Sequence, residues 1–85
     1  MTAKTTKPFD RDYARLPDEI QKRADKQLEL LLVNPHHPSL RLKKMEGHFD
    51  LWEGRITKGY RFTFKIVGDA YVLRRIGPHD ILKNP

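Results

Sequence analysis

From residue 51 to residue 67 the side chains alternate with a period of two, a pattern that strands bury and helices do not. Trp52, Gly54, Ile56, Tyr60, Phe62, Phe64 and Ile66 hold the even positions. Glu53, Arg55, Thr57, Arg61, Thr63 and Lys65 hold the odd ones. One face is apolar and the other charged, as in an antiparallel pair that buries a single side. The turn decides which charges meet. A two-residue turn at Lys58-Gly59 sets Arg55 opposite Phe62 and mixes the faces. A three-residue loop, Thr57-Lys58-Gly59, sets Ile56 opposite Tyr60 and Arg55 opposite Arg61, with Gly59 in the left-handed position this loop requires. The second register keeps the faces apart and is the one expected.

Gly68-Asp69, with glycine first, reads as a second tight turn leading into a third strand. The expected pairs are Phe64 with Leu73, Thr63 with Arg74 and Arg61 with Ile76. The polar face then gathers Glu53, Arg55, Arg61, Lys65 and Arg74, while Arg75 falls on the apolar side in a structural role. Two arginines directly opposite repel unless an anion lies between them. A solvated face tolerates such a pair as well, but local conflicts of this kind concentrate at functional sites.

The first half follows another period. Pro17-Asp18-Glu19 reads as a helix start, with proline pre-organised for the first turn and two acids at the positive end of the dipole. Leu16 before it is a poor cap. Ile20, Ala24, Leu28, Leu31 and Leu32 form one helical stripe, which reads as core. Asn34-Pro35 ends the helix, because the residue before a proline avoids the helical region. His36-His37-Pro38-Ser39 reads as a loop and Leu40 to Met45 as a basic bridging segment. The first six residues are polar and expected to fray. Phe9 to Leu16 is read as closing a short strand and opening a short helix, with no boundary fixed between them.

The chain has 85 residues, which hold one core, so residues 1–85 are expected to form one α+β domain. Lys and Arg number 17 against 11 Asp and Glu, a formal net charge of +6. Residues 1–40 contribute 7 basic and 6 acidic side chains (7 − 6 = +1), and residues 41–85 contribute 10 and 5 (10 − 5 = +5). A basic second half fits an anionic partner such as RNA, DNA or an acidic protein segment. Ordinary solubility charge fits it equally well. With no cysteine there is no disulfide, thiolate nucleophile or cysteine-based zinc site, and a reducing cytoplasm is the expected compartment. Met1 to Lys7 lacks the apolar core of a signal peptide. The run Leu30-Leu31-Leu32-Val33 is far too short to span a bilayer, so no membrane partner is expected.

Cleaving RNA with side chains alone needs three roles around one phosphate. A base takes the 2′-hydroxyl proton, cations stabilise charge on the phosphoryl oxygens, and an acid protonates the departing 5′-oxygen. Arginine suits the second role through its planar fork. Histidine suits the third, with an ordinary pKa of about 6.5. His79 lies just past the third strand, in Ile76-Gly77-Pro78-His79-Asp80, and is expected to reach the end of the face that carries Arg61. Glu53 is the candidate base, although a plain ion pair with a neighbouring arginine explains it as readily. His36 and His37 are adjacent in a proline-bounded loop, and His48 is either in the cleft or exposed. No cluster has metal-ligand spacing, so neither metal nor cofactor is expected. Ser39 is the only serine and lacks a triad context.

Taken in order, several segments resemble the RelE/ParE superfamily of toxins from bacterial and archaeal toxin–antitoxin systems. They are the Leu16-Pro17 helix entry, the Asn34-Pro35 exit with Leu40 after it, and Leu42-Lys43-Lys44-Met45-Glu46-Gly47. Trp52-Glu53-Gly54-Arg55-Ile56, Gly59-Tyr60-Arg61-Phe62-Thr63-Phe64 and Arg75-Ile76-Gly77-Pro78-His79-Asp80 complete the set. The resemblance implies a small twisted antiparallel sheet with N-terminal helices on one face and a basic cleft on the other. RNase members of the superfamily cut messenger RNA, commonly on the ribosome, by 2′-hydroxyl attack without metal. Arg61 matches the arginine that contacts the scissile phosphate, His79 the catalytic histidine of the YoeB and YafQ branches, and Arg55 a basic position on the preceding strand.

Two departures stand out. RelE-type enzymes carry two lysines where this chain has Glu53 and Arg55. Many members also place an aromatic residue just after the catalytic basic position, whereas Asp80 to Lys83 contain none. The resemblance thus implies a metal-independent endoribonuclease toxin with Arg61 and Arg55 on the phosphate and His79 as acid, while Glu53 as base comes from the residues alone. Lys43, Lys44, Lys65 and Arg74 would hold the RNA backbone, and a cognate antitoxin would hold the protein silent. It also admits a ParE-like inhibitor of DNA gyrase, or a toxin-like domain that only binds an antitoxin. Trp52 or Tyr60 would supply the stacking ring only if it lay on the charged face.

Overall fold

The computed structural model describes every residue from Met1 to Pro85. In chain order the elements are β1 (Thr2–Thr5), α1 (Lys7–Ala14), α2 (Asp18–Val33), β2 (Lys43–Lys44), β3 (Trp52–Thr57), β4 (Tyr60–Val67) and β5 (Ala70–Pro78). Short 3₁₀ turns occupy Pro38–Leu40 and His79–Lys83. The strands form one sheet in the order β1-β5-β4-β3-β2. This is the expected α+β architecture, with one addition. The first residues do not fray: Thr2 to Thr5 run parallel to β5 from Ala70 to Leu73. Every side chain of β1 is exposed, so hydrophobic patterning carries no sign of it; backbone pairing with the edge of β5 holds it.

Phe9 to Ala14 belongs to α1, and Arg15 and Leu16 form the turn that follows it. Thr6 caps α1 by accepting from the Phe9 amide, and its hydroxyl donates to the Leu73 carbonyl at 3.0 Å. Just beyond the end of β1, α1 lies against β5. Asp12 accepts from the Ile76 amide at 3.2 Å and from the Arg75 guanidinium. Pro17 sits one position before α2 and supplies no side-chain cap.

The core lies between α2 and one sheet face, where Ala24, Leu31, Leu40, Phe62, Phe64, Leu73 and Ile76 are all but sealed. Burying a side chain such as Leu31 or Phe62 contributes about 1.5–3 kcal/mol. Leu32, expected in the stripe, is 41% exposed, and Gln27 takes the inward position instead. Gln27 Nε2 donates to the Arg55 carbonyl at 3.0 Å, fastening α2 to β3 where the helix crosses it. Gly54 is required here, because a Cβ would collide with the Phe62 ring and the Leu42 side chain.

Two bulges adjust the expected register. Arg55 does pair with Arg61, but Thr57 rather than Ile56 pairs with Tyr60. The connection is a two-residue turn with Ile56 as the extra residue, and Gly59 does not adopt a positive φ. The bulge turns Ile56 into the core without carrying Arg55 across, so the faces stay separate after a short turn. Gly68, at φ 61°, turns β4 into β5 as expected. Phe64 pairs with Leu73, but the ladder then shifts: Thr63 pairs with Arg75, Phe62 with Ile76, and Arg61 with Gly77. The extra residue is Arg74. Arg75 therefore lies level with Thr63 on the polar side, not on the apolar side.

Candidate functional site

The charged sheet face is built in cross-strand rows. One row runs Arg55, Arg61, Gly77 and the next Lys43, Glu53, Thr63, Arg75. Lys65 lies opposite Val72 in the row beyond. At about 3.3 Å per residue, Lys65 is ~13 Å along β4 from Arg61. The eight candidate residues therefore do not form one cluster.

The middle of the face is closed by the chain itself. After β5 the 3₁₀ turn folds back over the sheet, and Ile81 lies so close to Gly77 that a Cβ there would stand 2.9 Å from Ile81 Cγ2. The Thr63 hydroxyl donates to the Pro85 carbonyl at 3.2 Å, and Thr63 is fully buried. Glu53 is 8% exposed and faces Lys43 Nζ at 3.5 Å. Its ion pair is with this lysine rather than with an arginine. Lys44, the next residue, points to the opposite side of the strand and meets Asp50 at 3.4 Å.

At the β3–β4 turn the chemistry differs. Arg61 Nη1 donates to the carbonyls of Thr57, Lys58 and Tyr60 at 2.7, 2.9 and 3.0 Å. These bonds bind Arg61 to the turn and direct its charge onto carbonyl dipoles, easing the repulsion expected of a facing pair. Arg55 has no such relief. Its Nε is sealed from solvent without an acceptor, the one buried side-chain polar atom left so in the molecule. Burial lowers the Arg55 pKa first, and the charges of Arg41 and Arg61 lower it further. A sealed donor without a partner is unfavourable, so this position lacks a hydrogen-bond acceptor that the chain itself does not supply.

Arg41 completes this cluster and was not legible as a site residue. Continuing the Lys43–Glu53 register by two residues brings Arg41 level with Arg55. Its backbone is left-handed at φ 45°, held by its amide donating to the Pro38 carbonyl at 3.2 Å. The basic bridging segment was the available signal, but the position of a two-residue edge strand cannot be read from periodicity. His79 joins the same end: its amide donates to the Gly59 carbonyl at 3.0 Å, tying it to the turn that holds Arg61. The imidazole is exposed.

The remaining candidates lie elsewhere. Lys65 and Arg74 border a shallow depression with His48, Phe49, Leu51 and Pro85. Trp52 is on the helix-bearing face, stacked on Phe64 at 6.3 Å between ring centroids, and so is absent from the charged face. Tyr60 packs against the core. His37 Nδ1 accepts from the Ser39 amide at 3.1 Å and so caps the 3₁₀ turn at Pro38, with the Ser39 hydroxyl 2.8 Å away. No three His, Cys, Asp or Glu side chains come together as a metal site, and no helix is long and apolar enough to cross a membrane.

No family model and no curated protein sequence matches the chain. Solved structures do. RelE in the RelB–RelE antitoxin–toxin complex of Methanococcus jannaschii superposes with a TM-score of 0.76 at 22% identity over 94% of both chains. The YoeB/ParE toxin of Agrobacterium tumefaciens gives 0.78 at 18% identity over 93% of this chain and 99% of that one. YafQ of E. coli gives 0.75 at 14% identity over 94% of both. The architecture described above is the RelE/ParE toxin fold.

Proposed function

We propose that this chain, folded as a RelE/ParE toxin, is the toxin of a type II toxin–antitoxin system and a metal-independent endoribonuclease that cuts messenger RNA on the ribosome, in the cytoplasm. The observation that carries the reading is the Arg55 Nε, sealed and without an acceptor, between the charges of Arg41 and Arg61 at the end of the face where His79 is tethered. A phosphodiester, through its two non-bridging oxygens, is one of the anions that guanidinium forks grip by two bonds.

In the reaction the 2′-oxygen attacks phosphorus and its proton passes to Glu53, one row along β3 from Arg55, once Lys43 releases the carboxylate. The bond from phosphorus to the 5′-oxygen breaks, and His79 gives that oxygen a proton. The products are a 2′,3′-cyclic phosphate and a free 5′-hydroxyl. Arg55 and Arg61 hold the non-bridging oxygens as charge builds on them. Lys65 and Arg74 hold the flanking backbone; Lys43 and Lys44 are engaged with Glu53 and Asp50 and act, if released, on the approach of the strand. A cognate antitoxin silences the protein by covering this end. Structural neighbours solved in complex with their antitoxins, RelE with RelB among them, support that partner.

The test is a translating extract supplied with wild type, His79→Ala or Arg55→Gln. Wild type is expected to shorten messenger RNA, leaving cyclic-phosphate ends, and both variants to spare it. Messenger RNA left equally intact by all three sinks the nuclease reading. Inhibition of gyrase supercoiling by the same intact protein would put the gyrase-inhibitor reading in its place.

A further inference from the structure

Phe49 is 84% exposed, more than any other large apolar side chain of the molecule. A single exposed apolar residue needs no explanation by itself, but the loop around this one is built. The Met45 amide donates to the Leu51 carbonyl at 2.7 Å and closes the loop at its base. Gly47 at φ 79° and Asp50 at φ 50° bracket His48 and Phe49 with left-handed backbone. For Asp50 that conformation carries a cost of order 1 kcal/mol, and strain of this kind is retained where a side chain must be aimed. Lys44 Nζ lies 3.4 Å from the Asp50 carboxylate and fixes the same residue from the strand. The ring is thus held outward.

What surrounds it is cationic. Phe49, His48, Lys65 and Arg74 border one depression of about 270 Å³ on the charged sheet face, floored by Leu51 and Pro85. Neither Lys65 nor Arg74 has an acidic partner; the molecule's three ion pairs involve Lys43, Lys44 and Arg75. An aromatic plane flanked by free cations suits one ligand class: an unstacked nucleobase together with its phosphates. A protein helix or strand would need a longer apolar groove than one ring provides.

We propose that Phe49 is the base-stacking platform of this protein, with Lys65 and Arg74 on the neighbouring phosphates of the same single strand. The inference rests on the RNA reading above and extends it: the bound strand passes from the Arg55–Arg61 end over the C-terminal segment that covers Thr63 and reaches Phe49 beyond it. The direct separation of Arg61 and Lys65 is ~13 Å, about four stacking steps of ~3.4 Å, and the path over the C-terminal segment is longer than that. The aromatic contact missing after His79 is supplied from the loop before β3.

The probe is a six-nucleotide 2′-O-methyl RNA, which has no nucleophilic hydroxyl and is not cleaved. Phe49→Ala is expected to weaken its binding about tenfold or more, the loss of one stacked base. The dependence of log K on log salt should keep its slope, since the ring is uncharged, while Lys65→Ala lowers that slope by about 0.7. Phe49→Trp should bind like wild type and lose tryptophan emission on saturation beyond any change from Trp52. The unfolding midpoints of both Phe49 variants should match wild type, because the ring contacts solvent. The proposal is overturned if Phe49→Ala binds the probe as wild type does, if Phe49→Trp emission is indifferent to it, or if wild type does not bind it at low salt. Failure of the nuclease reading looks different: messenger RNA survives in the extract while the uncleavable probe still binds and quenches.

Discussion

Arg55 and Arg75 stand one row apart on the same sheet face, yet the molecule treats them in opposite ways. Arg75 Nε and Nη2 donate to the Asp12 carboxylate at 2.6 and 3.2 Å, and Nη1 donates to the Asn84 carbonyl at 3.0 Å. The bond to Asp12 raises the Arg75 pKa above its ordinary value. Arg55 has two arginines for neighbours, a buried Nε with nothing to donate to, and a lowered pKa. One guanidinium is therefore part of the fold, joining α1 to the sheet, and the other is a charge the fold bears without compensation. Residue type and face are the same. The presence or absence of a carboxylate separates the structural guanidinium from the one in the proposed site.

The sharpest way to break this contrast is to remove the site. His79→Ala is expected to lower single-turnover cleavage by roughly 10³-fold, within the range for loss of a general acid. Arg55→Gln should lower it by about 10²-fold, as for one donor to a charged transition state. Stability should move the other way for Arg55→Gln. Folding disfavours the charged form of Arg55, since its folded pKa lies below its unfolded one, so deleting the charge leaves the urea midpoint unchanged or raises it. A lower midpoint together with unchanged cleavage would make Arg55 a second Arg75 and dissolve the comparison.

The reverse experiment acts on the structural partner. Asp12→Ala strands the Arg75 guanidinium and the Ile76 amide, both acceptor-dependent and both partly buried. The Asp12 side chain is 13% exposed and that of Arg75 30%, so solvent recovers part of the loss. A cost of about 2–3 kcal/mol is expected in urea unfolding, a large fraction of the total stability of a small domain. Cleavage per folded molecule should stay within about twofold, an allowance far below the effect of one catalytic group.

How much of this contrast could be read in advance follows from its physics. The Arg55–Arg61 pairing was legible because alternation fixes the faces, and the faces tolerate no one-residue slip. The pairing came out correctly from the wrong loop, since a bulge at Ile56 with a two-residue turn has the same effect on register as the longer loop. Arg75 was misplaced because a bulge at Arg74 leaves no trace in composition: two adjacent arginines satisfy either face. Asp12 was invisible for a different reason. Its partner is 63 residues away, and only the docking of α1 on β5 brings the two together. Arg41 and β1 are edge features, held by backbone geometry rather than by buried side chains, and periodicity reports only what is buried.

A milder variant tests how His79 is kept at the Arg55 end. Gly77→Ala places a methyl group against Ile81 Cγ2, 2.9 Å away, on the turn that carries His79. Overpacking of this kind costs about 1–3 kcal/mol. Displacing the turn should also reduce cleavage several-fold, since small misplacements of a catalytic group are felt strongly. Lost stability with cleavage intact would mean that the Gly59 carbonyl alone positions His79.

The smallest effects separate paired from unpaired lysines, the same distinction carried to the surface. Lys44 is half exposed and already engaged with Asp50, on the side of β2 away from Arg55. Lys65 has no acidic partner and lies on the charged face. Lys44→Ala should change stability by no more than about 0.5 kcal/mol, as for exposed ion pairs generally, and should leave the salt dependence of RNA binding alone. Lys65→Ala should be just as neutral in stability, yet lower the slope of log K against log salt by about 0.7, one phosphate contact on a single strand. Equal slopes for the two variants would mean that the polar face attracts RNA through net charge alone. In that case the uncompensated position of Arg55 would no longer distinguish it from any other cation in the second half of the chain.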